Sequence, residues 1–292
     1  MHKSGFVNII GAPNVGKSTL MNQLVGERLS IITPKAQTTR HRIMGIVNGE
    51  DYQIVFSDTP GIVDPAYKMH EGMMNFVLTA MQDADLFLVI VEVGEKKFKN
   101  EEIQERVNRT NTPTLVLVNK MDLSNQEELA EVMAKWQAEF PKADLLPISA
   151  LHGFQVEQVM NWIQDKLPEC PPYFPKDDLS DKTERFFASE MIREKIFLHY
   201  KKEIPYACEV VVEAFKEEEE IIRVRAEIFV ERNSQKGILI GKNGEALKRV
   251  GTDARKEMEA FFQKKVFLEL HVKVDKDWRS NPLKLKRYGY LN

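Results

Sequence analysis

Apolar positions change their spacing repeatedly along the first half of this chain. From residue 6 to about 167, short β-rich apolar runs alternate with stretches whose apolar residues recur at helical spacing. F-V-N-I-I (6–10), Y-Q-I-V-F-S (52–57), D-L-F-L-V-I-V (85–91), T-L-V-L-V-N (114–119) and D-L-L-P-I-S (144–149) predict strands. Helices are predicted to begin near Lys17, Met69, Asn100, Gln126 and Phe154. That alternation predicts an α/β fold, a mostly parallel sheet with helices on both faces. P-E-C-P-P-Y-F-P then brings prolines at 168, 171, 172 and 175. Without backbone N–H groups these cannot extend a helix or a central strand, so residues 168–181 are expected to form a stiff linker. The linker divides a domain at 1–167 from a second at 182–292.

The second domain has a different order. Residues 182–200 carry apolar residues at helical spacing, while 207–215 and 220–230 predict two strands around the acidic turn Lys216–Glu220. A glycine loop, a helix over 244–262 and a strand over 266–274 complete a small α+β module.

Composition narrows the setting. The chain has 292 residues, 43% hydrophobic and 29% charged, ordinary values for a soluble globular protein with two cores. Its two cysteines, Cys170 and Cys208, lack the company of a metal site and suit a reducing compartment. The N-terminus runs directly into a predicted strand, unlike a secretory signal, and no run of 18 apolar residues predicts a membrane span. A cytoplasmic protein is expected. The net charge of −3 conceals an asymmetry: residues 232–292 hold 15 Lys+Arg against 7 Asp+Glu. A basic tail behind an acidic front points to a polyanionic partner for the tail.

G-A-P-N-V-G-K-S, Gly11 to Ser18, fits G-x-x-x-x-G-K-[S/T] between a predicted strand and a predicted helix. This resembles the phosphate loop of the P-loop NTPases. Gly11, Ala12, Pro13, Asn14, Val15, Gly16, Lys17, Ser18 and Thr19 are expected to wrap phosphates with backbone N–H groups. Lys17 should bridge β- and γ-phosphates, and the Ser18 hydroxyl should ligate Mg²⁺. N-K-M-D then selects the base. The Asp122 carboxylate can accept from guanine N1–H and its exocyclic amine, whereas adenine presents an acceptor there and leaves the charge unpaired. Asn119 would tie this loop to the phosphate loop, and Lys120, next to Met121, would cover the base with its stem. S-A-L, Ser149, Ala150 and Leu151, can supply a backbone N–H to guanine O6. In D-T-P-G-I, Asp58, Thr59, Pro60, Gly61 and Ile62, the aspartate suits Mg²⁺ held through water and the Gly61 N–H suits the γ-phosphate. A threonine of K-A-Q-T-T-R would complete the metal shell with GTP bound; Thr39 is favoured over Thr38, although spacing does not separate them.

With these motifs in order, residues 1 to about 170 resemble a translation-associated GTPase domain. Ile62 stands where many such proteins carry a water-positioning glutamine. The resemblance to a subset of these GTPases implies a role for Asn14 as ligand of a potassium ion between the β- and γ-phosphates; turn geometry is the other reading of that residue.

Gly241-Lys242-Asn243-Gly244 is a G-x-x-G loop followed by a predicted helix, which resembles a KH module of type II order. Its glycines would admit a nucleic-acid backbone, with Lys242, Lys248 and Arg249 on phosphates and the apolar run through Ile238 and Ile240 along the bases. GTPase domain, linker and KH module together resemble the Era family over almost the whole chain. That resemblance implies a GTP-hydrolysing switch that binds single-stranded rRNA near the 3′ end of the small ribosomal subunit during its assembly. It also implies contact with the inner face of the cytoplasmic membrane. The protein is expected to act as a monomer. The competing expectation is a GTP-binding scaffold or membrane adaptor whose KH-like domain binds protein.

Overall fold

In the computed structural model, which describes residues 1–291, the chain divides into two units. One comprises Met1–Pro65 and His70–Asp181; the other comprises Ala66–Met69 and the chain from Lys182 onward.

The first unit is built on a six-stranded sheet. Its strands are β1 (Lys3–Gly11), β2 (Ile43–Asn48), β3 (Tyr52–Asp58), β4 (Leu86–Glu92), β5 (Thr114–Asn119) and β6 (Asp144–Pro147), in the order β2-β3-β1-β4-β5-β6. All neighbouring pairs are parallel except β2 with β3. The central strands bury nearly every residue, including Val7, Ile9 and Ile10 of β1 and Leu88, Val89 and Ile90 of β4. Strands covered on both faces read as continuous apolar runs, which is why they were legible. The connecting helices are α1 (Lys17–Val25), α2 (Lys68–Gln82), α3 (Glu101–Arg109), α4 (Gln126–Glu139) and α5 (Val156–Lys166). Asn100 caps α3 by accepting from Ile103 N–H, and Asn125 caps α4 in a capping box with Glu128. Because the strands run parallel, the phosphate loop, D-T-P-G, N-K-M-D and S-A-L all emerge at carboxyl ends on one edge of the sheet.

Two features differ from the expectation. β2 was not foreseen: it is a short edge strand, I-M-G-I-V-N, that turns into β3 through Asn48-Gly49, a hairpin signal present in the sequence. The proline-rich segment is more than a spacer, because it is fastened to the first unit. Ile46 N–H donates to Leu179 C=O at 2.9 Å, Ser180 bridges Gly45, and Met44 N–H donates to Asp181 at 2.9 Å. The end of the segment, Leu179 to Asp181, thus covers part of the β2 edge that would otherwise expose unpaired backbone groups. The fully buried Gln53 fixes its middle, accepting from Tyr173 N–H at 2.7 Å and Phe174 N–H at 3.0 Å while donating to Phe174 C=O at 2.8 Å. Gln53→Ala strands these groups, and a loss of about 2–3 kcal/mol is expected in urea denaturation.

The second unit carries α6 (Glu184–His199), α7 (Ile204–Ala207), β7 (Glu209–Glu217), β8 (Ile221–Val230), α8 (Asn233–Ile240), α9 (Glu245–Phe262), β9 (Lys265–Val274) and α10 (Pro282–Arg287). Its sheet runs β7-β8-β9, with β7 antiparallel and β9 parallel to β8. On β8, Ile222, Val224 and Ala226 are buried while Arg223 and Arg225 face solvent, so one sheet face carries the core. The basic tail does not hang free. Leu285, Tyr288 and Tyr290 are buried, Tyr290 donates to Glu209 at 2.6 Å, and Tyr288 donates to Asp275 at 2.6 Å. Among the described residues no helix is long and apolar enough to cross a membrane.

Candidate functional site

The turn after β1 is set by glycine. Gly16 sits at φ 104°, and a Cβ there would lie 2.2 Å from the Asn119 amide nitrogen. Asn119 needs that space: its Nδ2 donates to Val15 C=O at 2.7 Å, and its Oδ1 accepts from Ala150 N–H at 2.9 Å. One side chain thereby fastens the phosphate loop, N-K-M-D and S-A-L together. These loops line a cavity of about 650 Å³ that includes Pro13, Lys17, Ser18, Asp122, Leu123 and Leu151.

At the base end, Asp122 is exposed and open to the cavity, and Lys120, at φ 63°, pairs through its ammonium with Glu92. Glu92 was not anticipated from sequence; it lies at the end of β4, far along the chain from the motif it serves. Ser149 N–H is taken by Phe154 C=O and Ala150 N–H by Asn119, so within S-A-L the Leu151 N–H is the open donor among the described residues. Met121 N–H donates to Ile148 C=O at 3.2 Å and so joins the same framework.

At the phosphate end, Lys17 donates to Gly11 C=O at 3.1 Å and Ala12 C=O at 2.8 Å. Burial lowers its pKa to about 8, against the pull of Asp58. A phosphate beside the amine restores the charged form. Nucleotide binding at pH 8.5 should therefore be accompanied by proton uptake, since a group whose pKa is lowered to about 8 is then largely neutral when free. Calorimetry in two buffers of different ionisation enthalpy checks this; uptake near zero contradicts it.

Ser18 Oγ lies 2.7 Å from Asp58 and 2.9 Å from Thr39 Oγ1, which lies 3.4 Å from the same carboxylate. Asp58 is fully buried, burial raises its pKa, and its Oδ1 has no hydrogen-bond partner. Such an all-oxygen group, with an orphaned carboxylate oxygen, suits a hard divalent cation. Thr38 is placed elsewhere: it contacts Thr33 at 2.6 Å and donates to Lys35 C=O at 2.7 Å. Thr59 donates to Ile9 C=O at 2.9 Å, away from the cavity. Gly61 lies against Pro13, where a Cβ would meet its backbone at 2.7 Å. Ile62 is 2% exposed and packs in the core with Ile10, Met74 and Val77, so it offers water nothing. Asn14 is exposed at φ 65°, donates through Nδ2 to Pro34 C=O at 3.3 Å, and leaves its oxygen open.

In the second unit, Gly241 (φ 72°) and Gly244 (φ 78°) flank Asn243 at φ 52°, and a Cβ on Gly241 would lie 2.6 Å from that of Ala246. The loop leads into a groove of about 470 Å³ between α9 and β9. Of the residues expected to meet RNA, Gly244 and Lys248 line it. Lys242, Asn243, Arg249 and Ile238 are exposed, and Gly241 and Ile240 are half-buried, without lining it. Leu247, Gly251, Thr252, Arg255, Val266, Phe267, Leu268 and Leu270 do line it and were missed. For those on the helix the signal was present: 247, 248, 251, 252 and 255 follow helical spacing along one face of α9.

Comparison with known proteins matches these two sites separately and then together. Residues 6–120 match the family model described as 50S ribosome-binding GTPase, and residues 203–279 match the KH domain. GTPase Era of Syntrophus aciditrophicus (strain SB) is 47% identical over 293 residues, covering 99% of this chain and 96% of its own. The chain belongs to the Era family of GTPases. A crystal structure of Era in complex with MgGDPNP and nucleotides 1506–1542 of 16S ribosomal RNA superposes with a TM-score of 0.95 at 35% identity, over 100% of both chains. A variant of Aquifex aeolicus Era bound to GDP and AlF4⁻ gives a TM-score of 0.95 at 36% identity, over 99% of this chain and 100% of its own. In Era-family terms, the first site is the GTPase centre and the G-x-x-G groove belongs to the KH domain.

Proposed function

We propose that this GTPase is a nucleotide-gated RNA binder: its KH groove takes single-stranded rRNA from the 3′ region of the small-subunit RNA, and the protein acts in 30S subunit assembly. The observation that carries the reading is the presence, in one chain, of a guanine-selective phosphate-loop site and a G-x-x-G groove. An Era structure matching the full chain holds a nucleotide and a 16S rRNA segment together.

The geometry supports a division of labour. Asp122 accepts from the guanine edge, the Lys120 stem, held by Glu92, covers the base, and Leu151 N–H faces O6. Lys17 turns from its own loop carbonyls to the phosphates. Ser18, Thr39 and Asp58 would hold Mg²⁺, which when bound neutralises charge on the β- and γ-phosphates. Thr39 then reports γ-phosphate through the segment before β2, and Gly61 reports it through the segment before Ile62. No side chain at Ile62 orients water, so turnover is slow, within reach of the unassisted rate of about 10⁻⁴ per second seen in Ras-type proteins. The open Asn14 oxygen supports a potassium ion beside the phosphates. GTP hydrolysis in potassium is expected to exceed that in sodium by about tenfold, a modest share of what an arginine finger supplies. Equal rates overturn the Asn14 role.

The reading places the protein in the cytoplasm as a monomer, in peripheral contact with the inner face of the membrane. Exposed Leu283 beside exposed Lys286 and Arg287 supports that contact. The central test crosslinks the protein to total cellular RNA with GDP and with a non-hydrolysable GTP analogue. Enrichment of one small-subunit rRNA segment, stronger with the analogue, is expected. Diffuse crosslinks, equal in both states, overturn the proposal.

A further inference from the structure

Thr39 lies on a segment without regular secondary structure, joined to the other metal-site oxygens by hydroxyl contacts to Ser18 at 2.9 Å and to Asp58 at 3.4 Å. The longer of these is at the limit of a hydrogen bond. Three residues on, Arg42 is 9% exposed, and each of its side-chain nitrogens donates. Nε donates to Ser57 Oγ at 2.6 Å, while Nη1 and Nη2 fork onto the Asp83 carboxylate at 2.6 and 2.9 Å. Such a two-point contact between charged groups fixes an angle as well as a distance.

Arg42 belongs to a closed ring of polar groups. Asn8 on β1 is fully buried and donates to Asp83 at 3.3 Å and to Ala80 C=O. Asn8 and Ser57 are register partners on β1 and β3. Asn8, Asp83, Arg42 and Ser57 thus tie both strands, and the segment before β2, to the end of α2. Asp83 directly follows that helix, whose negative pole disfavours a carboxylate, so its partner is Arg42 rather than the helix. His41 adds a second hold, with its ring 5.7 Å from that of Phe76, about two turns before Asp83. The ring lies one residue below Ile9 and Asp58 in the register. Strand alternation turns Asp58 away from the face of Ser57 and toward Ser18, so Arg42 touches no metal-site oxygen and acts through the backbone.

We propose that Arg42 is a positioning residue for the metal shell: by forking onto Asp83 and bonding Ser57, it holds the Thr39 segment against the end of β3. This rests on the reading that Ser18, Thr39 and Asp58 take Mg²⁺. Thr39 joins that shell when a γ-phosphate is present, whereas the phosphate loop holds GDP without it. Loss of the fork therefore weakens Mg²⁺ and a GTP analogue together and spares GDP. Removing a group that orients a metal ligand costs about 10- to 100-fold in metal affinity, and one acting through the backbone belongs at the low end.

The test uses the full-length protein with fluorescent GDP and a fluorescent non-hydrolysable GTP analogue, at varied Mg²⁺. Arg42→Lys keeps the charge and loses the fork, while Asp83→Asn keeps the shape and loses the charge. Each should raise the Mg²⁺ concentration for half-maximal analogue binding by about tenfold, with GDP affinity within about twofold of wild type. The double variant should do no more than either single one, because the two groups act as a unit. The Asp83 side chain is 41% exposed and has room for Asp83→Glu, which keeps a carboxylate and should stay nearer to wild type than Asp83→Asn. An unchanged Mg²⁺ requirement in Arg42→Lys overturns the positioning role and leaves the metal reading intact. Equal losses for GDP and the analogue, with a lowered melting temperature, also overturn it, because Arg42 then serves the fold alone. Wild-type binding of the analogue that is indifferent to Mg²⁺ overturns the metal reading and the positioning role with it.

Discussion

Asp122→Asn should lower affinity for GDP by about 10²- to 10³-fold and create affinity for xanthosine diphosphate. The carboxylate is the one group in the base pocket that can accept from both the N1–H and the exocyclic amine of guanine. An asparagine accepts from one and turns its own NH₂ toward the other, so two donors face each other. Losing one charge-assisted hydrogen bond and opposing the second costs about 3–4 kcal/mol, which is that range in affinity. Xanthine carries a carbonyl in place of the amine and accepts from the asparagine. Titration with fluorescent guanosine and xanthosine diphosphates checks both halves. A variant that keeps its affinity for GDP would show that Asp122, exposed and close to His152 at 3.8 Å, is not the base selector. The fold should be unaffected, because the side chain is outside the core.

Gly16→Ala should weaken GDP binding by a similar factor, about 10²- to 10³-fold, through a different cause. The new methyl would enter the space of the Asn119 amide, 2.2 Å away, at a backbone φ of 104° that alanine adopts only under strain. Backbone strain and loss of the Asn119 to Val15 hydrogen bond together cost about 2–5 kcal/mol. The cost falls on the phosphate loop and the base loops at once, since Asn119 joins them. The distinguishing measurement is binding of inorganic pyrophosphate beside GDP: both should weaken. GDP should lose the larger factor; equal losses for both would confine the effect to the phosphate loop and show that the loops are less coupled than the two hydrogen bonds of Asn119 imply.

The missed residues have physical reasons. Glu92 and Lys120 are 28 positions apart and meet because β4 and β5 are neighbours. β2 carries a glycine mid-strand and lies at a sheet edge, so its apolar run is short and interrupted. The strap 168–181 has no periodicity because side chains and isolated bridges hold it in place of a ladder. Thr38 and Thr39 are indistinguishable by spacing, yet one closes on Lys35 and the other on Ser18 and Asp58. Arg42 shows the same limit: it donates to Ser57 at 2.6 Å and forks onto Asp83, contacts that only the packed sheet and α2 create.

What the chain determined by itself was whatever is local. Helical and strand spacing, glycines at left-handed turns, and the loops G-A-P-N-V-G-K-S, D-T-P-G, N-K-M-D and G-K-N-G are each written in a few consecutive residues. Their order along parallel strands was enough to foresee an α/β nucleotide site followed by a KH module. Tertiary structure decided which distant groups share a dielectric and a hydrogen bond. It buried Ile62 and Asp58, brought Asn119 to Val15 and Ala150, and set Phe267 at the rim of a groove made with α9. Those outcomes depend on sheet order and on packing between segments far apart in the chain, and no window of sequence contains them.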